Sequence, residues 1–281
     1  MAIEKIFFLL KPKYLANLLH NLFLNMTTIF VYMLIGLAVG YVGGYAGIGG
    51  APFLIAFLVL VMGVSQYTAQ GSVLTMMLGP MSLLGIMTMK DEVKTQWKSI
   101  VTGVLAYAVF SYFGAEMAFR FGELSVKKYF ALLLILIGVV QLVPRFSKPD
   151  HIAKIEKIPV WWMFLIGSLT GIVGGLFGIG AGVLMVPIFL MGFNMKKNHA
   201  RALTLAILLP PVSLGAFIKY QNEGAIDWTI VITLFVSYFV ANYYGAQRGS
   251  RANLQTFKRM YAILLIGIAT VYWLQIYFQH S

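Results

Sequence analysis

The chain has no cysteine. That excludes a disulfide framework, an iron–sulfur centre and any zinc site built from thiolates. Charge is scarce as well. Only 11% of the 281 residues are Asp, Glu, Lys or Arg, where a soluble domain carries roughly 25%. So few charges do not cover a surface that faces water. Acidic residues are the rarest class, nine against 21 Lys and Arg. Eight of them, Glu4, Asp91, Glu92, Glu123, Asp150, Glu156, Glu223 and Asp227, fall in loops or tails. The ninth, Glu116, stands one helical turn before Arg120, the spacing of a local ion pair. A cation pathway through a bilayer normally displays carboxylates at depth, and these apolar runs display none.

The four histidines, His20, His151, His199 and His280, are scattered, with no His-x-x-x-His pair. No nucleophile–base pair, phosphate-binding lysine loop or metal cluster can be assembled from the motifs present. The expectation is therefore no enzyme, no catalytic residue, no metal and no cofactor. The net charge of +12 would suggest nucleic acid in a soluble protein. Here the basic residues sit mostly in short loops between apolar runs, where membrane topology and anionic headgroups account for them. The bilayer is the expected partner, and nucleic acid is not.

What the chain has in abundance is apolar length. Hydrophobic residues make up 60%, in recurring runs of about the 20 residues needed to cross a bilayer. The expected fold is an all-α polytopic protein of the cytoplasmic (inner) membrane, with eight to ten membrane segments. Residues 1–27 do not form a signal peptide, because Lys11, Pro12 and Lys13 interrupt the apolar stretch. Leu15, Leu18, Leu19, Leu22 and Phe23 instead give an amphipathic helix lying in the interface. Residues 28–143 form a first set of transmembrane helices, 144–159 a polar linker, and 160–281 a second set.

The two sets align without a gap at an offset of 131 residues. Gly36, Gly40, Gly43, Gly44, Gly47 and Gly49 meet Gly167, Gly171, Gly174, Gly175, Gly178 and Gly180. Pro80, Ser82, Glu92, Trp97 and Arg120 meet Pro211, Ser213, Glu223, Trp228 and Arg251. Matched Trp, Pro and Arg at one offset point to duplicated halves, an arrangement common in secondary transporters. An odd number of crossings per half would make the repeat inverted, the arrangement favoured here.

Each half opens with an apolar run of about 35 residues broken by glycines, "GYVGGYAGIGGAP" and "GIVGGLFGIGAGV". That is too long for one crossing and short for two, so each run reads as a broken or re-entrant helix. Irregular backbone at depth is tolerated only against protein or a water-filled cavity. The dense clusters, with Gly47, Gly49 and Gly50 in one half and Gly178, Gly180 and Gly182 in the other, can expose backbone N–H donors to a small anion. The plainer reading, which suits Gly36, Gly40, Gly167 and Gly171, is close helix packing. The segments that follow supply Thr68, Gln70, Ser72 and Thr75, then Asn198, His199, Arg201 and Thr204. Ser72, Thr75, Arg201 and Thr204 are the candidate polar contacts, and Pro80 and Pro211 the candidate kinks.

Duplicated halves that each open with G-x-x-G-G-x-x-G-I-G resemble the TauE/SafE sulfite exporter family, also called the 4-toluene sulfonate uptake permease family. The residues are Gly40, Gly43, Gly44, Gly47, Ile48 and Gly49, then Gly171, Gly174, Gly175, Gly178, Ile179 and Gly180. The stretches "AQGSV" and "ARALT" follow, with Leu203 where the family pattern has a hydroxyl. The resemblance runs from Thr28 to Leu274. It implies export or uptake of sulfite or an organosulfonate. The leading expectation is a secondary exporter of a small sulfur oxyanion working by alternating access. An organosulfonate or other small organic anion, or an anion channel, are the alternatives. A coupling proton or ion and a homo-oligomer are compatible with each.

Overall fold

The computed structural model describes residues 12–46, 49–79, 96–142, 157–180, 182–195, 197–249 and 254–280. Gly47 and Pro80, and nearly all of the 144–159 linker, lie outside the described residues. All regular structure among the described residues is helical. The first half holds α1 (Pro12–Ala46), α2 (Ala51–Leu60), α3 (Gln66–Met76), α4 (Trp97–Phe121) and α5 (Glu123–Leu142). The second holds α6 (Val160–Phe177), α7 (Gly182–Pro187) running into a π-helical turn (Ile188–Gly192), α8 (Lys197–Leu208), α9 (Leu214–Asn222), α10 (Trp228–Gly249) and α11 (Leu254–His280).

The boundaries have local causes. α2 opens after Gly50, with Pro52 in its first turn, where a missing N–H does no harm. Ser65 caps α3, its Oγ accepting from the Thr68 N–H at 3.0 Å. Gly178 closes α6 in the left-handed conformation, with φ 73° and its N–H on the Gly174 carbonyl at 2.8 Å. Pro210 and Pro211 end α8, since neither ring nitrogen can donate to a helix. The kink expected at Pro211 is therefore a full break, with two helices separated at 209–213. α1 runs without interruption through residue 27, from the expected interfacial stretch into the first crossing.

Among the described residues, five helices are long and apolar enough to cross a membrane: Met26–Tyr45, Trp97–Phe121, Val160–Phe177, Trp228–Gly245 and Arg259–Phe278. Ala51–Leu60, Gly182–Gly192 and His199–Leu208 are apolar but shorter. Against the expected eight to ten membrane segments, the described residues give five helices of crossing length and three shorter apolar ones. Leu105, Leu132, Ile232, Val236 and Ile263 point outward and exposed, as lipid-facing residues do.

Helix pairing crosses between the halves. α1 packs along α10, α6 along α4, and α5 along α11. Lipid tails are as apolar as leucine, so close backbone approach holds such pairs together. Glycine allows it. A Cβ on Gly40 would stand 2.7 Å from the Tyr238 carbonyl oxygen, and one on Gly171 would stand 2.8 Å from that of Tyr107. Gly44 is seated on the Asn242 carbonyl and Gly175 on that of Ser111. Gly245 and Gly114 return the contact, on the carbonyls of Tyr41 and Ile172. Between these pairs, Leu54, Ile55, Phe130, Leu265 and Tyr272 are buried in one cluster drawn from both halves.

Candidate functional site

The first glycine turn is held by tyrosines of the second half. Gly49 has φ 85°, and no atom would lie within 4 Å of a Cβ there. The Gly50 N–H donates to Tyr238 Oη at 3.2 Å, and Tyr261 Oη donates to the Gly49 carbonyl at 3.4 Å. The second turn, Gly178 to Gly180, has φ 73° and 69° at its two glycines. Gly178 lies on the side chain of Gln70 from α3, and Gly180 on the methyl end of Met77. Gly182 then opens α7. Each turn therefore rests on elements of the other half.

α3 is buried along most of its length, polar side chains included. Tyr220 Oη donates to Gln70 Oε1 at 3.0 Å and also lies 3.2 Å from the Gly175 carbonyl. Ser72 Oγ accepts from the Asp227 N–H at 3.0 Å, tying α3 to the loop before α10. Thr75 gives its proton back to Gly71 of its own helix at 2.7 Å. Gln66, at the start of α3, accepts from Tyr272 Oη at 3.2 Å, and its backbone N–H donates to the Glu123 carboxylate at 2.7 Å.

α8 is the counterpart in the second half. Thr204 donates to Ala200 at 2.8 Å, and Leu203 is buried at the position of the missing hydroxyl. Arg201 is partly buried, and its Nε is shut away from solvent without a hydrogen-bond partner. No ion pair reaches it among the described residues. The acidic partners lie elsewhere: Glu116 pairs with Arg120 at 3.0 Å, as the spacing predicts, and with Lys219 at 2.7 Å. Pro211 is exposed in the break after α8, beside Ser213, whose Oγ donates to the Leu74 carbonyl of α3 at 3.1 Å.

The structure thus brings the Gly178–Gly180 turn onto α3 and anchors Gly49 and Gly50 on two tyrosines. Among the described residues, no hydrogen bond joins Arg201 or Thr204 to Ser72 or Thr75. Two residues of this region, Gln66 and Gln70, were not among the candidate contacts. One signal for them was in the sequence: at the 131-residue offset they stand against Lys197 and Arg201.

Comparison with known proteins places the chain among membrane proteins of this build. It is similar to a probable membrane transporter protein of Bacillus subtilis, 26% identical over 79% of this chain and 89% of that one. It is also similar to one of Methanocaldococcus jannaschii, 27% identical over 85% of this chain and 91% of the other. A relative from Xylella fastidiosa carries the same description at 23% identity. No solved structure matches. The model of the sulfite exporter TauE/SafE family matches residues 22–272, nearly the whole chain, and the protein belongs to that family.

Proposed function

We propose that this protein is a secondary transporter of a small sulfur oxyanion, with sulfite the leading candidate and export the leading direction. One observation carries the reading: Arg201 is a partly buried cation on a pathway helix, with no acidic partner among the described residues. A cation at depth needs a counter-charge or a hydrogen-bonding ligand, and a mobile anion meets that need without a fixed carboxylate. The family description and the relatives' names support transport. The glycine turns supply backbone donors from Gly49 in one half and from Gly180 and Gly182 in the other, since the Gly50 and Gly178 N–H groups are already taken by Tyr238 Oη and the Gly174 carbonyl. Ser72, Thr75 and Thr204 add polar lining on α3 and α8.

The halves act as duplicated, inverted copies in this reading. The reciprocal pairing of α1 with α10 and of α6 with α4, through glycines 131 residues apart, supports the duplication, and labelling from the two sides of the membrane tests the inversion. Rocking one pairing against the other opens the region alternately to each side. The break at Pro211 is the point where the second pathway segment changes direction in this reading.

The test is flux of sulfite, thiosulfate, sulfate, sulfoacetate and taurine into proteoliposomes under imposed pH gradients. Saturable sulfite flux supports the reading. Saturable flux of sulfoacetate alone would reassign the cargo to an organosulfonate. Non-saturating conductance would make the protein an anion channel, and an absence of anion flux under every gradient would end the proposal.

A further inference from the structure

Two glutamines on α3 have amides that need partners and lack them. Gln66 and Gln70 are fully buried, and a spacing of one turn puts them on one face of the helix. A tyrosine hydroxyl from the second half holds one end of each amide: Tyr272 at Gln66 Oε1, and Tyr220 at Gln70 Oε1. The other end of each, the Nε2 group, has no partner. A side-chain amide nitrogen carries two donors, and buried polar groups in folded proteins are nearly always paired. Two unpaired amide nitrogens on successive turns of one helix therefore ask for an acceptor from outside the chain.

The register between the halves adds an independent observation. Gln66 and Gln70 stand against Lys197 and Arg201 at the 131-residue offset. Arg201 is in the same condition as Gln70, with a buried nitrogen and no partner. The same two positions thus carry N–H donors in both halves, neutral in the first and cationic in the second. Gly178 rests directly on the base of the Gln70 side chain, so this amide sits beside the second glycine turn. Tyrosine at 220 and 272 holds each amide without using its donors.

We propose that Gln66 and Gln70 are the first half's ligands for the transported anion, two successive donor steps on α3. This rests on the transport reading above and names the ligand chemistry that fits it. The ligand bears several acceptor oxygens around one centre and little that must donate, because the two glutamine amides offer it only N–H groups. A sulfur oxyanion has that form, whereas a cation or an amine-bearing zwitterion has a group these donors reject.

The experiment uses the purified full-length protein in liposomes, with sulfite and thiosulfate as probes of saturable uptake. Gln66→Leu and Gln70→Leu keep side-chain bulk and remove the donors. Each is expected to raise the half-saturation concentration roughly tenfold to a hundredfold, the range for a hydrogen bond to a charged group. Gln70→Glu puts a carboxylate of the same shape where the donors were, and uptake of both probes should be lost. Where a leucine variant fails to fold, Gln70→Glu and Tyr220→Phe carry the test. Tyr220→Phe releases the Gln70 amide and should raise half-saturation severalfold while the maximal rate is kept. Half-saturation unchanged in folded leucine variants, or wild-type uptake by Gln70→Glu, overturns the inference while the transport reading stands. A wild-type protein that takes up neither these probes nor any other oxyanion sinks both.

Discussion

Tyr107 and Tyr238 lie 131 residues apart, each packed through its carbonyl against a glycine of a partner helix, yet only one hydroxyl is used. Tyr238 Oη accepts the Gly50 N–H at 3.2 Å, while Tyr107 Oη is buried with no partner. Removing a used hydroxyl orphans the Gly50 donor, and removing an unused one relieves a dry polar atom. Tyr238→Phe should therefore lower stability by about 1 kcal/mol or somewhat more, and Tyr107→Phe should be neutral or slightly stabilising. Thermal unfolding in detergent measures both. A larger loss from Tyr107→Phe than from Tyr238→Phe contradicts the assignment.

Gly175 and Gly267 make a second contrast. A Cβ on Gly175 would run into the Ser111 carbonyl, a backbone atom with no room to yield, whereas nothing lies within 4 Å of Gly267. Gly175→Ala should pry α6 from α4, with a loss of about 1–3 kcal/mol typical of overpacking. Gly267→Ala should leave the midpoint unchanged or raise it, since alanine favours a helix over glycine by up to ~1 kcal/mol. Equal midpoints for the two variants would remove Gly175 from the packing role.

At the second turn, Gly178→Leu adds a side chain where φ is 73° and where Gln70 Cβ would lie 2.9 Å from the new Cβ. Transport should be lost while a folded fraction survives, because the change is confined to a turn. Proteoliposome flux, together with monodisperse elution, reads out the two effects separately. Flux at the wild-type level would move the site away from this turn.

Arg201→Gln should raise the half-saturation concentration for an anion by roughly tenfold or more, as loss of a charge-assisted bond implies. Arg120 is the control. Its side chain is 75% exposed and paired with Glu116, so Arg120→Gln should leave transport kinetics as they are. Equal, small effects at both positions would make Arg201 a headgroup contact.

The absence of cysteine makes labelling clean. Trp97 and Trp228 open α4 and α10 at equivalent places and are both exposed. In an inverted arrangement, Trp97→Cys and Trp228→Cys react with an impermeant maleimide from opposite sides of the membrane. Reaction from the same side would make the halves parallel.

Several features of this fold were legible in the sequence because they are local. Glycine spacing located the broken helices, and the i,i+4 spacing located the Glu116–Arg120 pair. The spacing of Gly40 and Gly171 pointed to packing, but it could not say that their partners are Tyr238 and Tyr107. Partner choice depends on which helix faces meet in three dimensions, and apolar membrane helices differ little in composition. Prolines were expected to kink a helix, but two in succession remove consecutive donors, and α8 stops. The hydroxyls of Thr75 and Thr204 were candidate polar contacts, and each takes the plainer role of a helical threonine, donating to the carbonyl four residues back. Gln70 was named among the polar residues of its segment and Gln66 was not, and neither was singled out, because a glutamine's meaning depends on whether its amide finds a partner.

The pairing of α1 with α10 bears on how the protein is made. Gly40 is synthesised early and Tyr238 late, so the surface that α1 reserves for α10 is bare in the membrane while most of the chain is still on the ribosome. During that interval the glycine face of α1 is open to lipid, to the insertion machinery or to another nascent copy. A chain truncated before Trp228 would lack α10 and keep that face uncovered.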